Sequence, residues 1–373
     1  MIISRIELER FTAFDSLDFK PSPGVNVLIG ANGTGKTHLM KVAYAACDIS
    51  KTKQAFGEKL IHAFLPSGHA LGRLVKRRDR SSQATIKVSR GHELTLSLEF
   101  SNHIKDYSHP KVSISGASDW SEKPVESVFI PVKEMLANAP GFRSLYSRRE
   151  IHFESVYADI IDRAYLPVLR GPRDDTRKRL LDTLQQAMDG KVVIKNEEFF
   201  LRNKHGELEF TLLAEGLRKL SLLWLLIQNG TLAKGSILFW DEPETNLNPA
   251  LSATVVQLLL DLQRLGVQVF LTTHDYTLMK EFELAARPND DISYHALYRS
   301  KGASALQLES SHKPFMLQNS AIAEAMTSLY DRQIHRALAT PTLEHTRAAP
   351  VKRAVLLKKA QQEDHSTPED SSS

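Results

Sequence analysis

The sequence predicts an α/β fold that has a mixed β-sheet core, added antiparallel β-hairpins and a mainly helical subdomain. Three observations lead to this fold class. Short, wholly apolar runs, which suit buried strands, alternate with helical segments along the chain. Residues 84–100 and 198–213 instead alternate apolar and polar side chains on both sides of a turn, as hairpins do. Residues 133–190 lack strand patterns and are predicted to be mostly helical.

The first part of the chain supplies strands around one glycine-rich loop. Residues 2–8 and 17–19 have the apolar spacing of two strands. VNVLIG (25–30) is short and wholly apolar, as expected of a central strand, and a helix over 36–46 follows the loop. VFI (128–130) predicts another buried strand, which a proline ends.

The second half repeats the alternation of helices and strands. Its predicted elements are a helix over 216–229, a strand over 236–240, a helix over 249–265, a strand over 267–273, two short strands, and a helix near 317–339. From about residue 340 the periodicity is lost, so we expect a disordered tail. Four segments result, namely the N-terminal core with the glycine-rich loop and hairpins, the helical subdomain, the rest of the core, and the tail: 1–132, 133–211, 212–339 and 340–373.

Composition is that of an ordinary soluble protein. With 373 residues, the chain suits one large domain with a subdomain, or two domains. A net charge of +4 is too weak to establish nucleic-acid binding. The single cysteine, Cys47, excludes an intrachain disulfide and argues against a cysteine-based metal site. Since no signal peptide and no bilayer-length apolar run are present, we expect a cytoplasmic protein with no membrane partner.

The glycine-rich loop is the strongest chemical signal. It matches G-x-x-x-x-G-K-[ST] between a strand and a helix, as that phosphate-binding motif requires. The predicted nucleotide-binding residues are Gly30, Ala31, Asn32, Gly33, Thr34, Gly35, Lys36 and Thr37. Glycines let backbone amides approach phosphates, Lys36 can reach the β- and γ-phosphates, and the Thr37 hydroxyl can bind Mg²⁺. ATP and Mg²⁺ are therefore the predicted cofactors; the alternative is a chance glycine-rich turn.

The strand over 236–240 ends in a cluster of acids. A nucleotide loop needs a carboxylate on a second strand to hold the metal, and Asp241 supplies one. Glu242 is predicted to be the general base that activates the attacking water. The alternative for both is a solvated strand-end acid or a salt-bridge partner. Glu244 is expected to be a surface acid, and Asn248 is either a helix N-cap or a ligand.

His274 ends the next apolar strand. An imidazole there can hydrogen-bond a γ-phosphate, so a catalytic role is predicted, with a structural histidine as the alternative. The phosphate loop, ILFWDEPETNLNP and FLTTHDY occur in the order found in ABC-type ATPases of the SMC/RecF/OLD group, which residues 1–335 resemble. LLAEGLRKLSLLWLL (212–226) lies where that group keeps its signature motif. More narrowly, the chain resembles stand-alone bacterial AAA-family ATP-binding proteins of the anti-phage, abortive-infection (AbiL-like) type.

The resemblance implies a P-loop NTPase fold of ABC-ATPase type, in which two protomers meet head to tail around ATP as a homodimer or higher oligomer. The residues implied to face the partner's γ-phosphate form the signature segment: Ala214, Glu215, Gly216 and Arg218. The group commonly has Ser where Ala214 stands, so one hydroxyl donor is lost here. The helix dipole remains, and Arg218 or Lys219 adds positive charge. The alternative for 214–227 is an ordinary amphipathic core helix.

Two further features of the group are less well matched. Its glutamine loop would follow the strand over 128–130, where Lys133 or Glu134 stands in place of Gln. A residue that stacks on the nucleotide base would be Phe11 or Phe14, and core packing is the alternative for both.

The resemblance leaves three functions open, of which the third is a non-enzymatic, nucleotide-bound switch with negligible turnover. No heptad array is long enough for SMC arms, and no acid cluster like that of OLD-type nucleases follows His274. The first function is a slow, regulatory ATPase that controls a separate effector or toxin, in bacterial anti-phage defence. The alternative is a RecF-like repair or recombination ATPase that clamps DNA when ATP binds. The basic run at 76–80 would then contact phosphates, or else is a solvated loop.

Overall fold

The strands form three sheets in the computed structural model, which describes residues 2–77, 81–148, 150–170, 175–300 and 305–339. The six-stranded sheet consists of β3 (Val25–Ile29), β7 (Ser127–Ile130), β11 (Ile237–Asp241), β12 (Gln268–Thr272), β13 (Ile292–Arg299) and β14 (Leu306–Ser311). The five-stranded sheet consists of β1 (Ile3–Phe11), β2 (Phe14–Phe19), β4 (Gln83–Arg90), β5 (Leu94–Ser101) and β6 (Ser113–Ser115). The three-stranded sheet consists of β8 (Lys191–Lys195), β9 (Glu198–Asn203) and β10 (Gly206–Glu209).

Ten α-helices lie in the same described ranges. They are α1 (Lys36–Thr52), α2 (Phe56–Phe64), α3 (Ala117–Glu122), α4 (Phe142–Ser147), α5 (Ser155–Ala164), α6 (Asp175–Met188), α7 (Glu215–Gln228), α8 (Ser252–Leu265), α9 (Tyr276–Ala285) and α10 (Ala321–Ala339). None of them is long and apolar enough to cross a membrane.

The six-stranded sheet is covered on both faces. Its order is β14-β13-β3-β12-β11-β7, parallel except for the edge strand β14, and every residue of β3, β11 and β12 is buried. Ile237 and Phe239 of β11 pack into a cluster with α1 and the five-stranded sheet, whereas Leu238 and Trp240 pack with α7 and α8. Burial on both faces explains why these strands are continuous apolar runs instead of alternating ones.

Parallel pairing brings three loops to one edge of this sheet. The strand β12 lies between β3 and β11, with Asp241 of β11 paired to Thr272 of β12. The carboxyl ends of parallel strands meet at the same edge, where open α/β sheets bind their ligands. The segments after β3, β11 and β12 therefore lie side by side.

The structure confirms the predicted fold class and corrects several bounds. The helix after the glycine-rich loop extends to Thr52, and the helix expected from residue 249 begins as a 3-10 turn, Pro249–Leu251. The second hairpin ends at Glu209, and β8 joins it as a third strand. Residues 133–190 contain α4, α5 and α6 separated by irregular segments. The helix α9 was not predicted because only Leu278, Met279 and Phe282 face the core.

The chain forms two units, residues 1–325 and 326–373. Residues 326–339 of the second unit are the end of α10 and expose apolar side chains: Leu329, Tyr330, Ile334 and Leu338. The tail expected from residue 340 lies outside the described residues.

Candidate functional site

The glycine-rich loop turns directly from β3 into α1. Gly35 is the N-cap of α1 in a left-handed conformation (φ 83°), and Gly33 is also left-handed (φ 77°). A Cβ on Gly30 would lie 2.3 Å from the carbonyl oxygen of Leu297, and one on Gly35 would lie 2.7 Å from the ring of Phe14. The loop thus needs glycine at these positions for two different reasons, backbone conformation and close packing.

Lys36 folds back over this loop. Its Nζ donates to the carbonyl oxygens of Gly30 (2.8 Å) and Ala31 (3.1 Å), and the Thr34 hydroxyl also donates to Ala31 (2.8 Å). Burial lowers the pKa of the Lys36 ammonium, while the carboxylates of Glu242, Asp241 and Glu244 raise it. The Lys36 ammonium group is therefore held beside the loop, where the nearby carboxylates attract it.

Asp241 and Thr37 bring oxygen atoms together across the sheet edge. The Thr37 hydroxyl donates to Asp241 Oδ1 (3.1 Å), and the Thr272 hydroxyl donates to the same atom (2.6 Å). Burial raises the pKa of Asp241, and these two hydrogen bonds lower it. A buried carboxylate and a hydroxyl are ligands suited to a hard cation such as Mg²⁺.

Glu242 and His274 face each other from adjacent loops. His274 Nε2 lies 3.4 Å from Glu242 Oε1, and the other Glu242 oxygen accepts from the Thr245 hydroxyl (3.1 Å). Burial and the nearby Lys36 lower the pKa of His274, while Glu242 and Asp241 raise it. An imidazole of lowered pKa is mostly neutral near pH 7, so one ring nitrogen can accept and the other donate.

Glu244 is not the surface acid expected from the sequence. Its Oε1 accepts from the Thr273 hydroxyl (2.8 Å) and from the backbone N–H of His274 (2.9 Å), and its Oε2 is buried. Burial raises the pKa of this carboxyl group. The only hint in the sequence is its place two residues after Glu242 in one turn. Asn248 is confirmed as a cap, because its side chain accepts from Ala250 N (3.0 Å).

The signature segment lies against the acid turn, as residues 241–247 are called below. Glu215 accepts from the Asn246 side chain (2.9 Å), and a Cβ on Gly216 would lie 3.1 Å from the Asn246 carbonyl oxygen. Lys219, which is buried, donates to the carbonyl oxygen of Thr245 (2.6 Å). Ala214 is exposed at the N-cap of α7. The start of α7 and the acid turn therefore form one packed unit.

Arg218 makes its contacts within its own chain. Its guanidinium pairs with the buried carboxylate of Glu134 and donates to the carbonyl oxygens of Phe210 (3.0 Å) and Leu213 (2.6 Å). To contact a partner protomer, Arg218 would have to break these hydrogen bonds. A role of Arg218 toward a second protomer stays a prediction, as do the roles of the other site residues.

The structure also gives the positions of the candidate base-stacking, glutamine-loop and phosphate-contacting residues. Phe11 and Phe14 are fully buried in the core, which favours packing over base stacking. Lys133 is exposed. Lys76, in the basic run, pairs with Asp15 (2.7 Å), whereas residues 78–80 lie outside the described ranges.

Comparisons with known proteins identify the family. A family model described as "AAA domain, putative AbiEii toxin, Type IV TA system" matches residues 76–280, more than half of the chain. The matched range contains the acid turn, the signature segment and His274, and it begins after the glycine-rich loop.

Two similar curated proteins are DNA replication and repair proteins RecF. The protein of Halalkalibacterium halodurans is 27% identical over 107 residues, which are 29% of this chain and 29% of that protein. The protein of Haemophilus influenzae is 29% identical over 110 residues, which are 29% of this chain and 31% of that protein. The chain thus spans less than a third of the length of the curated relatives it matches.

Solved structures of SMC heads are similar to this chain. The SMC head bound to the C-terminal winged-helix domain of ScpA has a TM-score of 0.52 at 13% identity, over 88% of this chain and 100% of that chain. The SMC head domain from Thermotoga maritima has a TM-score of 0.46 at 13% identity, over 83% of this chain and 99% of that chain. The chain therefore belongs to the AAA family named above, and it shares the fold of the SMC head that has the TM-score of 0.52.

Proposed function

We propose that this chain binds ATP with Mg²⁺, hydrolyses it slowly, dimerises around it, and thereby controls a separate effector or toxin in bacterial anti-phage defence. The observation that carries the hydrolysis is the meeting of Thr37, Asp241, Glu242 and His274 at one sheet edge. These four residues come from the ends of two adjacent strands, β11 and β12, and from the start of α1.

Each side chain has a definite task in this proposal. Lys36 and the N-terminus of α1 hold the phosphates, and Thr37 with Asp241 would hold Mg²⁺, which neutralises charge on the phosphates when bound. Glu242 takes a proton from the attacking water, whose oxygen forms the new bond to the γ-phosphorus as the bond to ADP breaks. The neutral His274 ring donates a hydrogen bond to the γ-phosphate. The products are ADP and phosphate.

Dimerisation is proposed through the signature segment and the acid turn. Ala214 is exposed at the start of a helix of 14 residues, and the neighbouring Leu212 exposes 69% of its surface. A helix N-terminus favours a negatively charged group, as a partner's phosphate would be. An exposed leucine beside it is the kind of side chain that a second protomer would cover.

The test of hydrolysis is Glu242→Gln. We expect turnover to fall by about 100-fold or more, because general-base catalysis is lost, while ATP affinity is retained. Light scattering of the same variant with ATP should report a dimer that persists. The exposed Glu324 offers a control, Glu324→Gln, which should behave as the wild type. Turnover of Glu242→Gln equal to that of the wild type would refute the base assignment.

The effector proposal is supported by the family description, which names a toxin and a toxin–antitoxin system. Expressing the chain with its flanking genes in a host challenged by phage tests it. Protection or toxicity should require both the chain and a neighbouring gene, and Lys36→Ala should abolish it. An identical phenotype from the chain alone would show that no separate effector is needed.

A second candidate is an ATPase that clamps DNA, and the RecF relatives favour it. Fluorescence anisotropy with a labelled duplex at low salt, with and without ATP, separates the two. Clamping predicts ATP-dependent affinity that weakens with salt and with the double charge reversal Arg77→Glu/Arg78→Glu. Lys76 is left intact because it holds Asp15. Absence of binding at low salt would exclude DNA clamping.

A further inference from the structure

We propose that Glu244 is a positioning residue that holds His274 against Glu242 and thereby sets the rate of hydrolysis. The inference rests on the ATP hydrolysis proposed above, in which Glu242 and His274 act on the reacting groups. In the proposed mechanism, Glu244 contacts neither the nucleotide nor the attacking water. It acts through the main chain of its neighbour.

The geometry of one oxygen atom carries the inference. Glu244 Oε1 accepts both the backbone N–H of His274 (2.9 Å) and the hydroxyl of Thr273 (2.8 Å). Glu244 also lies in the same turn as Glu242, since Thr245 N donates to the Glu242 carbonyl oxygen (3.1 Å). One side chain therefore joins the turn that bears the proposed base to the residue whose ring lies 3.4 Å from that base.

The loop after β12 depends on this carboxylate at one point. Thr273 N donates to the Leu28 carbonyl oxygen of β3 (3.1 Å), and Asp275 caps α9 by accepting from Thr277 N (2.6 Å). Between these anchors, the backbone N–H of His274 is held by Glu244. Without that acceptor, the Asp275 N–H bond to the Thr273 hydroxyl (3.0 Å) still spans His274, but the His274 N–H loses its partner, so its peptide can shift and carry the ring away from Glu242.

The surroundings of Glu244 do not suit a side chain that is present only for solubility. Its Oε2 is buried and has no hydrogen-bond partner among the described residues, which costs free energy. Carboxylates are seldom buried in this way unless a specific arrangement requires it. The same turn is held from the other side by Lys219 Nζ, which donates to the Thr245 carbonyl oxygen (2.6 Å). The placement of Glu244 is therefore determined on two sides.

The first test compares Glu244→Ala with Glu244→Gln. The amide oxygen of Gln can accept the same two hydrogen bonds, whereas Ala accepts none. We expect Glu244→Ala to lower kcat by about 10- to 100-fold, as for a misplaced catalytic group, with KM for ATP unchanged. Glu244→Gln should retain most of the turnover, and the exposed control Glu324→Ala all of it. Wild-type kcat in Glu244→Ala, or an equal loss in both Glu244 variants, would overturn the inference.

The second test does not depend on turnover. NMR with histidine labelled by ¹⁵N follows the amide and ring signals of His274, identified with His274→Asn. Glu244→Ala should speed exchange of the His274 amide hydrogen and shift its ring signals, and Glu244→Gln should preserve both. Unchanged His274 signals in Glu244→Ala would refute positioning. If the wild type hydrolysed no ATP, the proposed function would be wrong. The NMR signals of His274 would still show whether Glu244 positions this residue.

Discussion

The backbone of Glu242 shows how one residue is placed for chemistry. It is left-handed (φ 48°) immediately after the buried strand β11, and its N–H donates to the Thr272 hydroxyl (3.0 Å). A non-glycine residue in this conformation costs about 1–2 kcal/mol. The bend takes the chain out of strand geometry, so that Glu242 lies beside His274 while Asp241 lies beside Thr37. Two adjacent acids thereby face different neighbours.

Another single residue, His295, should make the fold sensitive to acid. It is buried in β13, with Nδ1 2.8 Å from the Ser310 hydroxyl and Nε2 3.1 Å from Asn26 Oδ1. Burial lowers the pKa of His295 to about 3. Between pH 6.5 and 3, the imidazole is therefore protonated in the unfolded chain but stays neutral in the folded chain. The contribution of neutral His295 to the free energy of unfolding is therefore present above pH 6.5 and is lost as the pH falls toward 3. We expect His295 to account for about 1 kcal/mol between pH 6.5 and 5.5.

Urea unfolding at several pH values checks this prediction. His295→Asn should show a smaller loss of unfolding free energy between pH 6.5 and 5.5 than the wild type does. The slope does not vanish, because burial also lowers the pKa of His38, to about 4. The exposed His103 supplies a control, His103→Asn, with the wild-type slope. Equal slopes in His295→Asn and the wild type would contradict the prediction.

At the scale of an element, the glycine-rich loop combines two kinds of constraint. Gly30 has φ 149° and faces the carbonyl oxygen of Leu297 in β13, which a Cβ would approach to 2.3 Å. Gly33 is left-handed (φ 77°), but the space where its Cβ would lie is open. The phosphate-loop motif requires glycine at position 30 but allows any residue at position 33, and the packing of the two positions against the sheet differs in the same sense.

Alanine at each position tests that difference. Gly30→Ala should destabilise the protein by about 2–4 kcal/mol, because a backbone atom of β13 must move. Gly33→Ala meets only conformational strain and should cost about 1–2 kcal/mol. Urea unfolding monitored by circular dichroism gives both free energies. A larger cost at Gly33 than at Gly30 would show that the close approach to β13 is not limiting.

At the scale of the whole first unit, a buried ion network joins the helix of the phosphate loop to α2 and α5. Lys59 Nζ lies 2.7 Å from both Asp48 and Asp159, and Arg163 lies 2.6 Å from Asp48. Tyr44 of α1 donates to Asp159 (2.9 Å). Because Asp48 and Lys59 are almost fully buried, each needs the other's charge.

A double-mutant cycle measures this link. Lys59→Met should destabilise the fold by about 3 kcal/mol, since it leaves a buried carboxylate short of a partner. Asp48→Asn should also destabilise it, and the double variant should lose less than the sum of the two. Denaturant unfolding of the four proteins gives the coupling energy. Additive effects would mean that Asp48 and Lys59 act independently.

Particular elements show how far the sequence carried the prediction. Apolar runs identified β3, β11 and β12, because burial on both faces leaves a continuous pattern. The short elements β6, α3 and α9 were missed, since each has too few core-facing residues for a clear period. In the site, motif spacing singled out Lys36, Asp241, Glu242 and His274. The ties of Glu244 to Thr273 and His274 span 29 and 30 residues and have no local signature.

By itself, the sequence determined the fold class, the elements that end in polar residues, and the family. It could do so because hydrophobic period and a phosphate-loop motif are properties of neighbouring residues. Only the tertiary structure decided that Glu244 faces His274, that Arg218 is engaged by Glu134, and that the signature segment packs on the acid turn. These outcomes depend on strand order and on helix placement. They join residues far apart in the chain, and such contacts leave no periodic trace.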